Sequence, residues 1–304
     1  IIDYFTNDET WFQANKKAVE EFPDVLFFPG FWSEVGMCGE PSAFGARCSF
    51  PKNQFPHAHK MIHSIEDLKN LQKPRPETDG FAPFILNRLV INRSRIEDLG
   101  HKIRFSVSRG PLNIAAYLMG TTEFLTSLLM YPEEMHKLLT YITDYLVEWN
   151  QLQRESIPTI DGIMILDDII GFVGETEFKE FVLPYIKRIY ECDVSVKFLH
   201  NDAECGPSLK YLPEIGVNIF NMGFNTSIHQ LKEETHNEVV MLGNIPPRDV
   251  LAAGNNEEIR SAVHTLKKGL DSNSRVIFSC GGGMPPGVST ESIKTFCAAV
   301  NEDV

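Results

Sequence analysis

Gly162-Ile-Met-Ile-Leu-Asp167 is a short apolar run that stops on an acid, meets a second acid at Asp168 and reaches a glycine at Gly171. A run of this length without polar alternation is the pattern of a strand covered on both faces, as in a parallel sheet. Residues 176–192 then carry a helical pattern, interrupted at Pro184. Strand followed by helix is one βα unit, and the same alternation recurs in both directions along the chain. Upstream lie Ile103-Arg-Phe-Ser-Val-Ser108 and Val25-Leu-Phe-Phe-Pro-Gly30. Downstream lie Val196-Lys-Phe-Leu-His200, Val217-Asn-Ile-Phe-Asn221, Val239-Val-Met-Leu-Gly243 and Arg275-Val-Ile-Phe-Ser279. These seven runs point to an α/β fold of the closed (β/α)8 kind, a TIM barrel, with the eighth strand weak or lying before Ile1. A doubly wound open sheet is the alternative, but no G-x-G-x-x-G follows the first run.

The helical patterns agree with this reading. Residues 121–153 hold two helical stretches, with Thr122 or Ser127 as caps and Pro132 opening the second. Residues 257–270 are amphipathic and stop near Gly269. Segment 51–80, rich in Pro, Lys and His, reads as an excursion from the barrel. The 304 residues, 43% hydrophobic and 23% charged, suit one barrel domain spanning 1–304. The chain opens at Ile1 with no methionine and no signal-like segment, so a preceding N-terminal stretch is expected.

A net charge of −13 excludes a nucleic-acid partner, which would need a basic face. No apolar run approaches the roughly 18 residues that span a membrane. Six cysteines (38, 48, 192, 205, 280 and 297) stand without a C-x-x-C pair, which points to a reduced, cytoplasmic protein.

In a barrel the residues just past each strand converge on the active site. Here they are Arg109-Gly-Pro, Asp167-Asp168, His200-Asn-Asp202, Asn221, Gly243-Asn244 and Cys280-Gly-Gly-Gly283. Polar or thiol side chains at nearly every such position are hard to explain as packing. Each has a plainer role available: Asp167 and Asp168 as turn caps, His200 as a satisfied core histidine, Cys280 as an inert buried thiol, Tyr117 as a core aromatic. Three glycines at 281–283 let backbone approach a ligand closely, or simply make a tight turn. Asp167, Asp168 and Asp202 are expected to face one cavity with His200 and Glu34.

Taken in order, four segments resemble the uroporphyrinogen decarboxylase superfamily. Arg109-Gly-Pro-Leu-Asn-Ile-Ala-Ala-Tyr117 is similar to its Gly-x-Pro-x-Thr-Leu-x-x-Tyr segment, and Leu166-Asp-Asp-Ile-Ile-Gly171 to its Phe-Asp-Ser-x-x-Gly strand end. Leu242-Gly-Asn-Ile-Pro-Pro-Arg-Asp-Val-Leu251 and Ile277-Phe-Ser-Cys-Gly-Gly-Gly-Met-Pro-Pro286 resemble its two later loops. The resemblance implies the (β/α)8 barrel, with Tyr117 at the active-site tyrosine and Asp168 at a substrate-contacting serine. Arg109, Asn221, Asn244, Glu34 and Gly282 are then expected to bind substrate, and Asp168, Asp167, His200 and Tyr117 to be catalytic.

The departures favour the corrinoid-dependent methyltransferase branch. Where the decarboxylase places an aspartate after its first strand, this chain reads Phe27-Phe-Pro-Gly-Phe-Trp32, and the histidine of the last loop is replaced by Gly282. Glu40-Pro-Ser-Ala-Phe-Gly-Ala-Arg-Cys-Ser-Phe50 resembles a methyltransferase segment. The methylcobalamin:coenzyme M enzymes bind zinc through a His-x-Cys pair and a distant cysteine. The matching positions here are His200, Asp202 and Gly282, with Cys280 two residues earlier. The resemblance thus implies zinc on His200, Asp202 and Cys280, a site harder than a thiolate set and suited to an oxygen substrate. A metal-free acid/base cluster of Asp168, His200 and Asp202 is the alternative. The implied partners are a small methyl donor such as a methyl ether, a corrinoid protein, and a second copy in a homodimer. The implied function is methyl transfer; a cofactor-free decarboxylase or lyase is the alternative.

Overall fold

The computed structural model describes residues 1–204, 206–271 and 275–303; Cys205 lies outside the described residues. The chain forms two compact units, Ile1–Leu166 with Lys179–Ser195 and Asp167–Phe178 with Val196–Val304.

The first unit opens with a short helix, Ile2–Thr6, followed by helix Asp8–Glu21, which is capped by the Asn7 side chain on the amide of Thr10. Trp11 and Phe12 of that helix bury against Phe31, Ile96, Ile103 and Ile157. A two-stranded antiparallel ribbon follows, β1 (Cys48–Ser49) with β2 (His57–Ala58). A short 3-10 turn, Ile65–Asn70, carries a Ser64–Asp67 capping box. Segment 51–80 is thus an excursion, as its composition suggested.

β3 (Phe105–Arg109) and β4 (Gly162–Leu166) pair in parallel, Phe105 opposite Gly162 and Arg109 opposite Leu166. Helices Pro111–Met119, Thr121–Met130 and Pro132–Ser156 connect them, the last opened by its N-terminal proline as expected. The middle helix starts behind Gly120 without a side-chain cap, so neither Thr122 nor Ser127 caps it. Gln153 of the long helix accepts from the Val107 amide (3.1 Å) and donates to the Val107 carbonyl (3.2 Å). A buried side-chain amide thereby satisfies the backbone of a strand, as buried backbone groups require.

One expected strand is absent: 25–30 is irregular. Pro29 has no amide to donate to a ladder, the Val25 amide turns back to the Phe22 carbonyl, and Leu26 is 71% exposed. An apolar run without burial on both faces does not hold a central strand.

The second unit holds four parallel strands in chain order: β5 (Val196–Asn201), β6 (Ile219–Met222), β7 (Val240–Ile245) and β8 (Val276–Cys280). His200 stands opposite Asn221, and Ile245 opposite Cys280. Parallel pairing sets all four C-terminal ends at one edge. The Asp167 amide joins that edge by donating to the His200 carbonyl at 3.0 Å. Helix Asn256–Lys268 is started by an Asn255–Glu258 capping box and packs Ile259 and Val263 against Ala299 of helix Thr290–Asn301. Among the described residues no helix is long and apolar enough to cross a membrane.

Candidate functional site

At the strand-end edge of the second unit, Asp168, His200 and Asp202 each bring one ligand atom within 4.8 Å of the others. Strand geometry does this: His200 is the penultimate residue of β5, and Asp202 follows that strand directly. Asp168 opens the 3-10 turn Ile169–Phe172 but makes no side-chain cap there. Its Oδ1 instead accepts from the Asp202 amide at 2.8 Å. Capping of its own turn, the plainer reading of Asp168, is not what its carboxylate does.

The tautomer of His200 follows from its neighbours. Nδ1 lies 2.7 Å from Asn221 Oδ1, while Asn221 Nδ2 donates to the Leu242 carbonyl at 2.6 Å and to the Cys280 carbonyl at 3.4 Å. Those two acceptors fix the amide orientation, so Oδ1 must accept and Nδ1 must carry the proton. The lone pair of neutral His200 is therefore on Nε2, the atom 3.5 Å from Asp202 Oδ1. A ring nitrogen oriented by an outer hydrogen bond is the usual arrangement of a metal-binding or basic histidine.

Asp202 is half-exposed. Burial, together with the Asp168 carboxylate beside it, pushes its carboxyl above the usual range, against the pull of His200 and the Gly283 amide. Gly282 explains how that carboxylate fits. Its φ is +85°, and a Cβ there would stand 2.1 Å from Asp202 Oδ1. Asp202 fills the space that a side chain at 282 would need.

Cys280 is near but oriented elsewhere. Its Sγ donates to the Gly282 carbonyl at 3.1 Å, and burial, then the Asp202 charge, hold the thiol above its ordinary value. Among the described residues the three-membered ligand group contains Asp168, not Cys280. Asp167 is fully buried. Asn244 donates to the carbonyls of Thr226 (2.8 Å) and Phe224 (3.4 Å), bracing the loop after β6.

The first unit holds a second charged group. The Arg109 amide donates to Glu40 Oε1 at 2.8 Å. Its guanidinium lies 3.5 Å from Glu40 Oε2 and 3.4 Å from Glu34 Oε2, all three side chains being mostly buried. Burial would lower the Arg109 pKa, but Glu40, Glu34 and the hydrogen-bonded Tyr117 outweigh it and raise it. Burial raises Glu34 despite Arg109, with Glu40 adding to the rise. Of the expected residues, Arg109, Tyr117 and Glu34 meet here. Glu40 was not singled out in the sequence; its only signal was its place at the head of the Glu40–Phe50 segment.

With this geometry in view, the comparisons are direct. Residues 3–302 match the family model for uroporphyrinogen decarboxylase (URO-D). The chain belongs to that family. It is 24% identical over 266 residues to the uroporphyrinogen decarboxylase of Thermodesulfovibrio yellowstonii, covering 86% of this chain and 75% of the relative. It is 25% identical over 278 residues to that of Mannheimia succiniciproducens, at the same coverage. The solved structure of a methyltransferase from Methanosarcina mazei superposes with a TM-score of 0.80 at 19% identity, covering 97% of this chain and 86% of the other. The fold is accordingly the (β/α)8 barrel expected from the strand pattern, and the family to which the chain belongs is one of enzymes.

Proposed function

We propose that this chain moves a methyl group between a small methyl donor, such as a methyl ether, and the corrinoid of a partner protein, at a divalent metal held by Asp168, His200 and Asp202. The observation that carries the reading is that Asp168, His200 and Asp202 bring one ligand atom each within 4.8 Å of the others, with the Nδ1–H of His200 oriented on Asn221 and its Nε2 3.5 Å from Asp202. One imidazole nitrogen and two carboxylate oxygens fit zinc, and form a harder donor set than thiolates would. That hardness favours an oxygen-bearing methyl donor over a thiol. When bound, the cation supplies Lewis acidity to the oxygen that the methyl group leaves. Asn221 keeps His200 in the ligating tautomer, Asp168 fixes the backbone of Asp202, and Gly282 leaves room for the Asp202 carboxylate. Cys280 is close enough to Asp202 to feel its charge, and would have to turn from the Gly282 carbonyl to act as a further ligand.

A cofactor-free decarboxylase is the second reading, favoured by the names of the sequence relatives and by an Asp202 carboxyl that retains its proton more readily than usual. A single experiment separates the two. Metal content of the purified protein is measured alongside methyl transfer to free cob(I)alamin from methyl ethers. The methyl-transfer reading expects about one divalent ion per chain, lost in His200→Ala, and a metal-dependent rate. Metal-free protein with no methyl transfer, together with carbon dioxide release from a carboxylated substrate, would overturn it.

A further inference from the structure

Segment 51–80 lies outside the barrel strands, and two of its histidines, His57 and His59, belong to neither charged group. β2 begins at His57, and its ladder runs on past Ala58, because the His59 amide donates to the Arg47 carbonyl at 2.8 Å. Alternate residues of a strand point to one face, so both imidazoles stand on the same side of the ribbon. Ser49 lies opposite His57 on β1 and shares that face. All three residues are half-buried, within reach of solvent and of an ion that arrives from it.

The spacing of the two rings matches chelation. Their centroids are 5.4 Å apart, with the planes tilted by 57°. Two imidazoles bound at about 2.0–2.1 Å to one tetrahedral ion have centroids about 5 Å apart. Ser49 supplies the outer contact, its Oγ standing 2.6 Å from His59 Nε2. With Nε2–H donating to that hydroxyl, Nδ1 carries the lone pair, the arrangement that outer hydrogen bonds impose on ligating histidines. Among the described residues His57 makes no side-chain hydrogen bond, which leaves its ring to take the ion.

We propose that His57 and His59 chelate a nitrogen-preferring divalent transition ion of the zinc, nickel or copper class, with Ser49 orienting His59 and water completing the coordination. Among the described residues no carboxylate or thiol forms a three-membered ligand group with the pair. That excludes magnesium and calcium, hard cations that take oxygen ligands. Imidazole suits the later first-row ions instead. The site shares no residue with the Asp168 group and stands or falls without the methyl-transfer reading.

The test is a calorimetric titration of nickel(II) into the untagged chain carrying His200→Ala, which removes the imidazole of the Asp168 group. About one nickel ion per chain is expected, and a large excess of magnesium should not displace it. His57→Gln and His59→Gln are each expected to weaken nickel at least tenfold while melting with the parent protein. Ser49→Ala is expected to weaken it about tenfold by releasing His59. Absence of saturable binding, displacement by magnesium, or parental affinity in either histidine variant overturns the proposal, and parental affinity in Ser49→Ala overturns the role given to Ser49. Should a variant fail to fold, the unsubstituted chain decides. Nickel is expected to shield His57 and His59 from diethyl pyrocarbonate, read by mass spectrometry, and equal modification with and without nickel overturns the proposal alone.

Discussion

The Arg109 group and the Asp168–His200–Asp202 group are both built from carboxylates and one nitrogen-bearing side chain, yet they differ in what they leave undone. In the first, one guanidinium serves Glu34 and Glu40 and is mostly buried with them. Its charges find partners inside the protein. In the second, two carboxylates stand with one imidazole and neither a guanidinium nor an ammonium group, and Asp202 is half-exposed. A closed charge network fixes structure, whereas an open one with a spare lone pair and raised carboxyl pKa is arranged for something that arrives from outside. The contrast is one of neutralisation, not of residue type.

The largest expected effect tests the closed group. Arg109→Ala leaves two buried carboxylates without their cation and should cost about 3–5 kcal/mol in urea unfolding. A loss below about 1 kcal/mol would mean that Glu34 and Glu40 do not depend on Arg109.

Next in size is the open group. Asp168→Asn should leave the protein folded, melting at the same temperature or slightly higher, while turnover falls about 100-fold or more. Initial rates and thermal melting on the purified variant decide this. Undiminished activity would reduce Asp168 to a support for the Asp202 amide.

Gly282→Ala should be smaller, about 1–3 kcal/mol, because it combines a left-handed φ with a clash against the Asp202 carboxylate. Pairing it with Asp202→Gly removes the clash but not the backbone strain, so a double-mutant cycle should recover part of the loss. Strict additivity would separate the two residues.

The smallest effect is the pH dependence. Folding raises the Asp202 carboxyl above its unfolded value, so the folded protein holds that proton more tightly. The resulting stability is present below the unfolded pKa of about 3.9 and is lost as pH rises through the folded value. Asp202→Asn should therefore flatten the decline in melting temperature between the acid range and neutrality. Saturating divalent cation should oppose the same decline, since an ion bound only by the folded state adds stability by mass action. A wild-type curve indifferent to both would contradict the open character of the group.

Much of the fold was legible because burial on both faces imposes continuous apolar runs: 103–108, 162–167, 196–200, 217–221, 239–243 and 275–279 each mark a strand. The run at 25–30 misled because apolar composition alone does not report whether a segment has pairing partners, and Pro29 with an exposed Leu26 removes them. Asp168, His200 and Asp202 were legible as strand-end residues, since parallel strands bring their C-terminal ends to one edge whatever their separation in sequence. Membership of the decarboxylase family was legible in four short segments in order. What sequence position could not provide was direction. Whether Asp168 caps its own turn or reaches the Asp202 amide, and which nitrogen of His200 keeps its lone pair, depend on side-chain contacts 21 to 59 residues apart along the chain. Periodicity and strand order set where a residue stands. Only the hydrogen bonds closed in the tertiary structure set which way it faces, because a carboxylate or an imidazole is oriented by its partners and not by its neighbours in sequence.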